Sequence, residues 1–263
     1  KQSLVEFFST ASNKSALSYK VSAHLLLHEQ TNEELNRLAQ NEAYLESAGF
    51  ESSSYQSIAA IFLVDEANAK RAKILHKEMK KQHHFLTGKD DIPYAVLLTQ
   101  KQANARLQAQ TMRCYYDELV AQNFKRGDAL QAMSQLLTLY NADFEPIVID
   151  YVSAICTYLK RENIKIRRKF YPFIAMLALA QVNEETLKEV IMMNKKLTVL
   201  NMFSLEPALA FMTAVQFVLQ RMIEKEELQQ FSDSMLFLQA LNMNDFLQDA
   251  KFTLAFNIFD FFI

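Results

Sequence analysis

The chain has 263 residues, half of them apolar and 22% charged, with a formal net charge of −2. This is enough to bury a sizeable core, and the composition is that of a globular protein rather than a disordered or fibrous one. The near-zero net charge selects neither nucleic acid nor an anionic membrane. The chain has only three glycines, where an ordinary usage of about 7% would give roughly eighteen, too few for the turns of an all-β fold or the phosphate loops of a Rossmann fold.

Taken in chain order, a short apolar segment alternates with a longer amphipathic one. Ser18–Leu27 precedes Thr31–Ala48, and Ser54–Val64 precedes Glu66–His84. Ile92–Leu98 precedes Lys101–Asn123, and Tyr171–Leu179 precedes Glu184–Leu197. Tyr19, Tyr55, Tyr94, Met133 and Phe173 hold one place in the short segments, at intervals of 36, 39, 39 and 40. Phe50, Phe85, Phe124 and Ile164 end the long ones, at intervals of 35, 39 and 40. Gly49, Gly88 and Gly127 fall between a long segment and the next short one, 39 residues apart. A period of this length marks stacked supersecondary units, and two helices per 36–40 residues is the range of HEAT-like and TPR-like arrays. The TPR consensus is not matched.

The short segments are apolar all round and should be buried between neighbours. The long ones carry a single inward stripe, such as Leu35, Leu38, Tyr44 and Leu45, or Ile74, Leu75 and Met79. All four prolines, Pro93, Pro146, Pro172 and Pro207, stand at expected helix starts. Thr31 with Glu34 reads as a capping box, and Asp65 and Asn183 as N-caps. After about Leu200 the repeat is harder to follow: helices are expected from Pro207 to Arg221, over Glu224–Leu241 and over Asp245–Ile263. The last carries Phe252, Ala255, Phe256, Phe259 and Ile263 on one stripe and is expected to cap the stack.

The expected fold is therefore all-α: about six stacked helical hairpins in a right-handed α-solenoid. Residues 1–200 form the array, and 201–263 are C-terminal repeats and a cap continuous with it. No strand is expected.

The stretch Phe85–Leu98 (F-L-T-G-K-D-D-I-P-Y-A-V-L-L) and the stretch Asn123–Gln131 resemble an uncharacterised family of all-helical proteins from Gram-positive bacteria. The resemblance runs from about Ala43 to Leu179. It implies a bacterial cytosolic helical protein and brings no activity, cofactor or catalytic residue with it.

Few residues suggest chemistry. His24 and His28 share a helix face at the i,i+4 spacing of metal ligands, but no third ligand is visible and they read as structural. His83 and His84 close a long helix, where a cation favours the exposed carbonyls. His76 lies alone in an exposed pattern. Thr87–Asp91 contains a Gly-Lys pair, yet the strand and the glycine spacing of a P-loop are missing. Asp90 and Asp91 are expected to cap the helix that Pro93 opens. Cys114 and Cys156, without a C-x-x-C, read as reduced packing residues. No catalytic residue, cofactor or metal is assigned.

Charge placement is the informative pattern. Bases gather in the turns from long to short segments: Lys80, Lys81, His83, His84 and Lys89; Lys125 and Arg126; then Lys160, Arg161, Lys165, Arg167, Arg168 and Lys169. Acids gather in the opposite turns: Glu29, Glu33 and Glu34; Asp65 and Glu66; Glu184 and Glu185. Helix-dipole complementarity accounts for part of this. Six bases in the ten residues 160–169 exceed what capping needs. The expected function is a non-enzymatic scaffold for a protein or peptide, possibly acidic, with Lys165, Arg167, Arg168 and Lys169 as the binding residues. An enzyme or small-ligand or metal receptor, using His24, His28 or Asp90 in a concave-face pocket, is the alternative, and nucleic-acid binding by the basic edge a third. No signal peptide is visible and no run of about 18 apolar residues exists, so a cytoplasmic protein without a membrane span is expected.

Overall fold

Ten α-helices run through the residues that the computed structural model describes, 31–200, 203 and 207–225, and no strand occurs among them. They are α1 (Thr31–Ser47), α2 (Ser54–Phe62), α3 (Glu66–Gln82), α4 (Ile92–Leu98), α5 (Ala105–Ala121), α6 (Asp128–Leu137), α7 (Pro146–Arg161), α8 (Tyr171–Leu179), α9 (Glu184–Thr198) and α10 (Pro207–Glu224). Single 3-10 turns, Lys89–Asp91 and Arg168–Phe170, lead into α4 and α8. The expected all-helical class is what the chain adopts. The segment Ser18–Leu27, His24 and His28, the Thr31 and Glu34 side chains, and the expected helices beyond residue 225 lie outside the described residues.

Packing follows the alternation in length. Among the short helices α2 packs on α4, α4 on α6 and α6 on α8, while the 18-residue α10 packs chiefly on α9 and also meets α8. Among the long ones α1 packs on α3, α3 on α5, α5 on α7 and α7 on α9. The core runs between these partners. It includes Leu45, Ile58, Leu75, Tyr115, Leu119, Leu130, Met133 and Phe173, all essentially fully buried. Every residue of α8 except Pro172 is buried, as its all-round apolar pattern demands.

Local signals set the helix ends. Asp65 accepts the Asn68 N–H at 2.6 Å and Asn183 the Thr186 N–H at 2.9 Å, as expected of N-caps. Ser53 and Asn104 do the same for α2 and α5. Three long helices end in one motif. Gly49, Asn123 and Asn163 take φ of +88°, +68° and +60°, and the apolar residue after each returns its N–H to the carbonyl of Leu45, Leu119 or Leu159. This is a Schellman close, in which a left-handed residue lets the chain satisfy the last carbonyls.

Polar tethers repeat along the long helices. Lys73 donates to the Gly49 carbonyl, Arg113 to the Gln82 carbonyl and Ser153 to Gln122 Oε1. Each reaches back to the C-terminal end of the preceding long helix, and the three stand 40 residues apart. Arg71, Thr111 and Tyr151, also 40 apart, reach forward to the end of the next short helix, at Thr99 O, Ala142 O and Gln181 Oε1. The Arg71, Lys73 and Arg113 contacts satisfy backbone carbonyls of the kind that helix ends otherwise leave open.

Four sequence expectations need correction. Ile74 is 55% exposed, so the inward stripe of α3 is carried by Leu75 and Met79. Cys114 is exposed and does not pack. His76 is half-buried: its Nε2 meets the Gly88 carbonyl at 2.8 Å and its ring meets the edge of Phe50. Phe85, placed with Phe50, Phe124 and Ile164 at the ends of the long segments, is 97% exposed, unlike the other three. At that rung the helix ends at His83, whose φ is −135°. With no left-handed residue there, the chain runs on and leaves Phe85 at the tip of the turn.

Candidate functional site

The turns from long to short helices touch one another in sequence order. Glu51, after α1, pairs with Lys89, before α4, at 2.7 Å. The next contact runs through Tyr116, whose ring packs against His83 and whose hydroxyl accepts the Gly127 N–H. The third runs through Tyr171, whose hydroxyl accepts the Lys125 N–H at 3.1 Å while its ring meets Phe124. These turns therefore line one edge.

The bases on the last two turns point outward for a local reason. From Ile164 to Arg167 apolar and basic residues alternate, and Arg167 is extended at φ −104°, ψ 157°. Ile164 and Ile166 pack against the core, while Lys165 and Arg167 face solvent. Arg168 and Lys169, also exposed, follow in the 3-10 turn. Phe170 anchors that turn against Phe211, with ring centroids 4.3 Å apart. Lys125 and Arg126 stand exposed on the neighbouring turn, held there by Tyr171. The four residues singled out from sequence thus share one segment, beside a second basic turn. Arg161 is directed elsewhere: it pairs with Glu184 at 3.3 Å and lies over the Tyr158 ring.

The first turn departs from the basic pattern, since Glu51 supplies the charge that neutralises Lys89. Lys81 is likewise paired, with Glu78. Farther along the edge, Lys125, Arg126, Lys165, Arg167, Arg168 and Lys169 are all exposed.

Under the edge lies a polar cluster that sequence reading missed. Asp91 is buried and accepts three hydrogen bonds: from Gly88 N–H at 2.8 Å, from Gln131 Nε2 at 2.8 Å and from Gln135 Nε2 at 2.6 Å. Asp90 and Asp91 were expected to cap the helix that Pro93 opens. Asp91 stands at the N-cap of α4, but its side chain makes no capping hydrogen bond to that helix and instead closes back on Gly88 and clasps α6. Burial, with Asp90 beside it, pushes the Asp91 carboxyl up to about 7. Burial also raises the Asp90 carboxyl.

The bonds order the rest of the cluster. Because Gln131 Nε2 donates to Asp91, its Oε1 faces His83 Nδ1 at 3.1 Å, which must carry the proton. His83 Nε2 is then an acceptor, and both it and Gln135 Oε1 are buried without a partner. Burial lowers the His83 pKa. Both residues border a cavity of about 10 Å³ lined also by Met79, Thr87, Met112 and Arg113, room for one water molecule. A larger cleft of about 270 Å³ lies between α7 and α9, lined by Tyr151, Tyr158, Leu177 and Leu187. No cluster of three or more His, Cys, Asp or Glu residues suited to a metal occurs among the described residues. No helix among them is long and apolar enough to cross a membrane.

Comparison with known proteins bears out the family resemblance. Residues 3–244 match a family described as Protein of unknown function (DUF4003). The chain is 26% identical over 151 residues to the uncharacterized protein YeaA of Bacillus subtilis (strain 168). That match covers 57% of this chain and 45% of the relative, so the chain spans less than half of the relative's length. No solved structure matches the chain.

Proposed function

We propose that this chain, which belongs to the DUF4003 family, is a non-enzymatic binding scaffold in the cytoplasm. Its helical hairpins form an α-solenoid-like array, and its basic edge binds an acidic segment of a protein partner. The array reading is supported by the contacts of short helix on short and long on long, and by tethers recurring at 40-residue intervals. The observation that carries the binding reading is the exposed basic surface of Lys165, Arg167, Arg168 and Lys169 beside Lys125 and Arg126. Charge of one sign held on rigid neighbouring turns attracts an oppositely charged partner and orients it. The two free cysteines suit a reducing compartment.

The test is a four-fold replacement, Lys165→Glu, Arg167→Glu, Arg168→Glu and Lys169→Glu, compared with the parent chain in affinity capture from native cells. Loss of the major co-purifying protein from the variant, with helical content unchanged, supports the reading. An unchanged set of partners defeats it.

A further inference from the structure

We infer that the cleft of about 270 Å³ between α7 and α9 is a binding site for a free amino acid with an aromatic side chain. The site is separate from the basic edge: none of Lys165, Arg167, Arg168 and Lys169 lines it.

The molecule carries its own reference for this space. The tethers Thr111 and Tyr151, the left-handed Asn123 and Asn163 and the buried Met133 and Phe173 put α5 in register with α7, and α6 with α8, at 40 residues. In that register Ile155 stands where Tyr115 stands one long helix earlier. Phe144 and Val182 correspond as well: each directly precedes the N-cap of the next long helix, Glu145 for α7 and Asn183 for α9. In the earlier unit the two positions hold an aromatic pair. Tyr115 is fully buried, the Phe144 ring lies 4.9 Å from it between centroids, and the Tyr115 hydroxyl accepts the Glu145 N–H at 3.2 Å. In the later unit Ile155 and Val182 replace both rings, and both of them line the cleft. The connection into α9, 180–183, is also shorter than that into α7, 138–145. The cleft is thus a space in which this architecture elsewhere places an aromatic ring. Buried Leu177 and Leu187 and the rings of Tyr151 and Tyr158 complete an apolar and aromatic lining.

The rim selects the rest of the ligand. Glu184 lines the cleft, and Arg161, whose guanidinium lies 4.6 Å from the centre of the Tyr158 ring, pairs with it at 3.3 Å. Both are exposed, and the rim therefore offers one positive and one negative group side by side. A ligand with a single charge meets a like charge there. A zwitterion places its carboxylate on Arg161, which can hold it through two parallel N–H bonds, and its ammonium on Glu184. Each charge stays matched when the exposed pair, which contributes little to stability, opens to admit it. An aromatic ring carried beside one ammonium and one carboxylate is an aromatic α-amino acid.

The probe is L-phenylalanine, followed on the full chain by isothermal titration calorimetry and by saturation-transfer NMR. It should bind at about millimolar concentration or below and raise the thermal midpoint. Phenethylamine and 3-phenylpropionate each lack one charge, L-leucine lacks the ring, and N-acetyl-phenylalaninamide presents the ring as a polypeptide does. Each should bind about tenfold more weakly. Val182→Phe, which restores the ring of the earlier unit, should abolish binding with the thermal midpoint unchanged or raised. Arg161→Gln, a surface change, should remove the preference for phenylalanine over phenethylamine, and it decides the matter if Val182→Phe proves destabilised. Absence of phenylalanine binding at about 10 mM overturns the site, as does binding undiminished in a folded Val182→Phe. Leucine bound as tightly overturns the aromatic ring. A singly charged analogue or the capped amide bound as tightly, or a preference that survives Arg161→Gln, overturns the free amino acid. All of these outcomes leave the basic edge to its own four-fold replacement.

Discussion

Gln135 donates its side-chain amide to Asp91 Oδ1 at 2.6 Å, from the interior of α6 to the start of α4. The contact makes a buried carboxylate the fastener between two short helices, with no cation beside it among its hydrogen-bond partners. An ionised carboxylate so enclosed is costly even when its lone pairs are satisfied, which is why protonation is favoured near neutrality.

This sets a pH dependence. The folded-state pKa of Asp91 is raised from 3.8 to about 7. The native state therefore holds the proton more tightly than the unfolded chain. Stability from this group is fully present below about pH 4 and is lost as pH rises through about 7, by up to about 4 kcal/mol. The lowered pKa values of His76 and His83 act in the opposite sense, removing stability as pH falls below 6.5. Urea denaturation of the parent chain and Asp91→Asn across pH 5–8 separates them: the stability difference should shift toward the parent as pH falls. A pH-independent difference would show that Asp91 does not titrate in this range.

Asn68 is fully buried and bonds at three points: Nδ2 to Val96 O at 3.2 Å and to Thr99 Oγ1 at 3.0 Å, and Oδ1 from Val64 N–H at 3.2 Å. Asn68→Leu removes all three bonds and leaves the Val64 N–H without this partner, while Thr99 Oγ1 keeps the Ala95 carbonyl and the Val96 carbonyl keeps the Thr99 N–H. A loss of about 1–3 kcal/mol is expected in urea unfolding, with the helical spectrum retained.

The Schellman closes predict opposite signs for two substitutions. Gly49→Ala forces a Cβ onto a backbone at φ +88° and should cost about 1 kcal/mol. Asn123→Gly, at φ +68°, relieves a residue that tolerates this conformation less easily than glycine and should be neutral or slightly stabilising. Thermal unfolding of the two variants checks the pair.

The two thiols should react at very different rates. Cys114 is exposed, whereas Cys156 is buried and its thiol is pushed up to about 12. A disulfide reagent at neutral pH should modify one thiol quickly and the second only on unfolding. Two rapid equivalents in the native protein would contradict the burial of Cys156.

Much of the fold was legible because its causes are local. The helix periodicity, the N-caps Asp65 and Asn183, the prolines at helix starts and the near 40-residue period each depend on residues close in sequence. The basic segment could be read for the same reason. The exposure of Phe85 was legible only in part: the missing glycine or asparagine at the end of α3 was the available sign, and the apolar ladder concealed it. Nothing near Asp91 in sequence announces Gln131 or Gln135, which reach it from 40 and 44 residues away.

The sequence by itself determined that this chain is helical, where its helices start, and that charge gathers in its turns. Backbone hydrogen bonding and capping act within a few residues, so a linear pattern encodes them. Only the tertiary structure decided which turns touch, which bases share one exposed edge and which carboxyl is buried. Those outcomes depend on Tyr116 and Tyr171 bridging successive turns, and on a carboxylate losing its water to a neighbouring helix. Desolvation and long-range contact are properties of the packed molecule, and the chain acquires them only on folding.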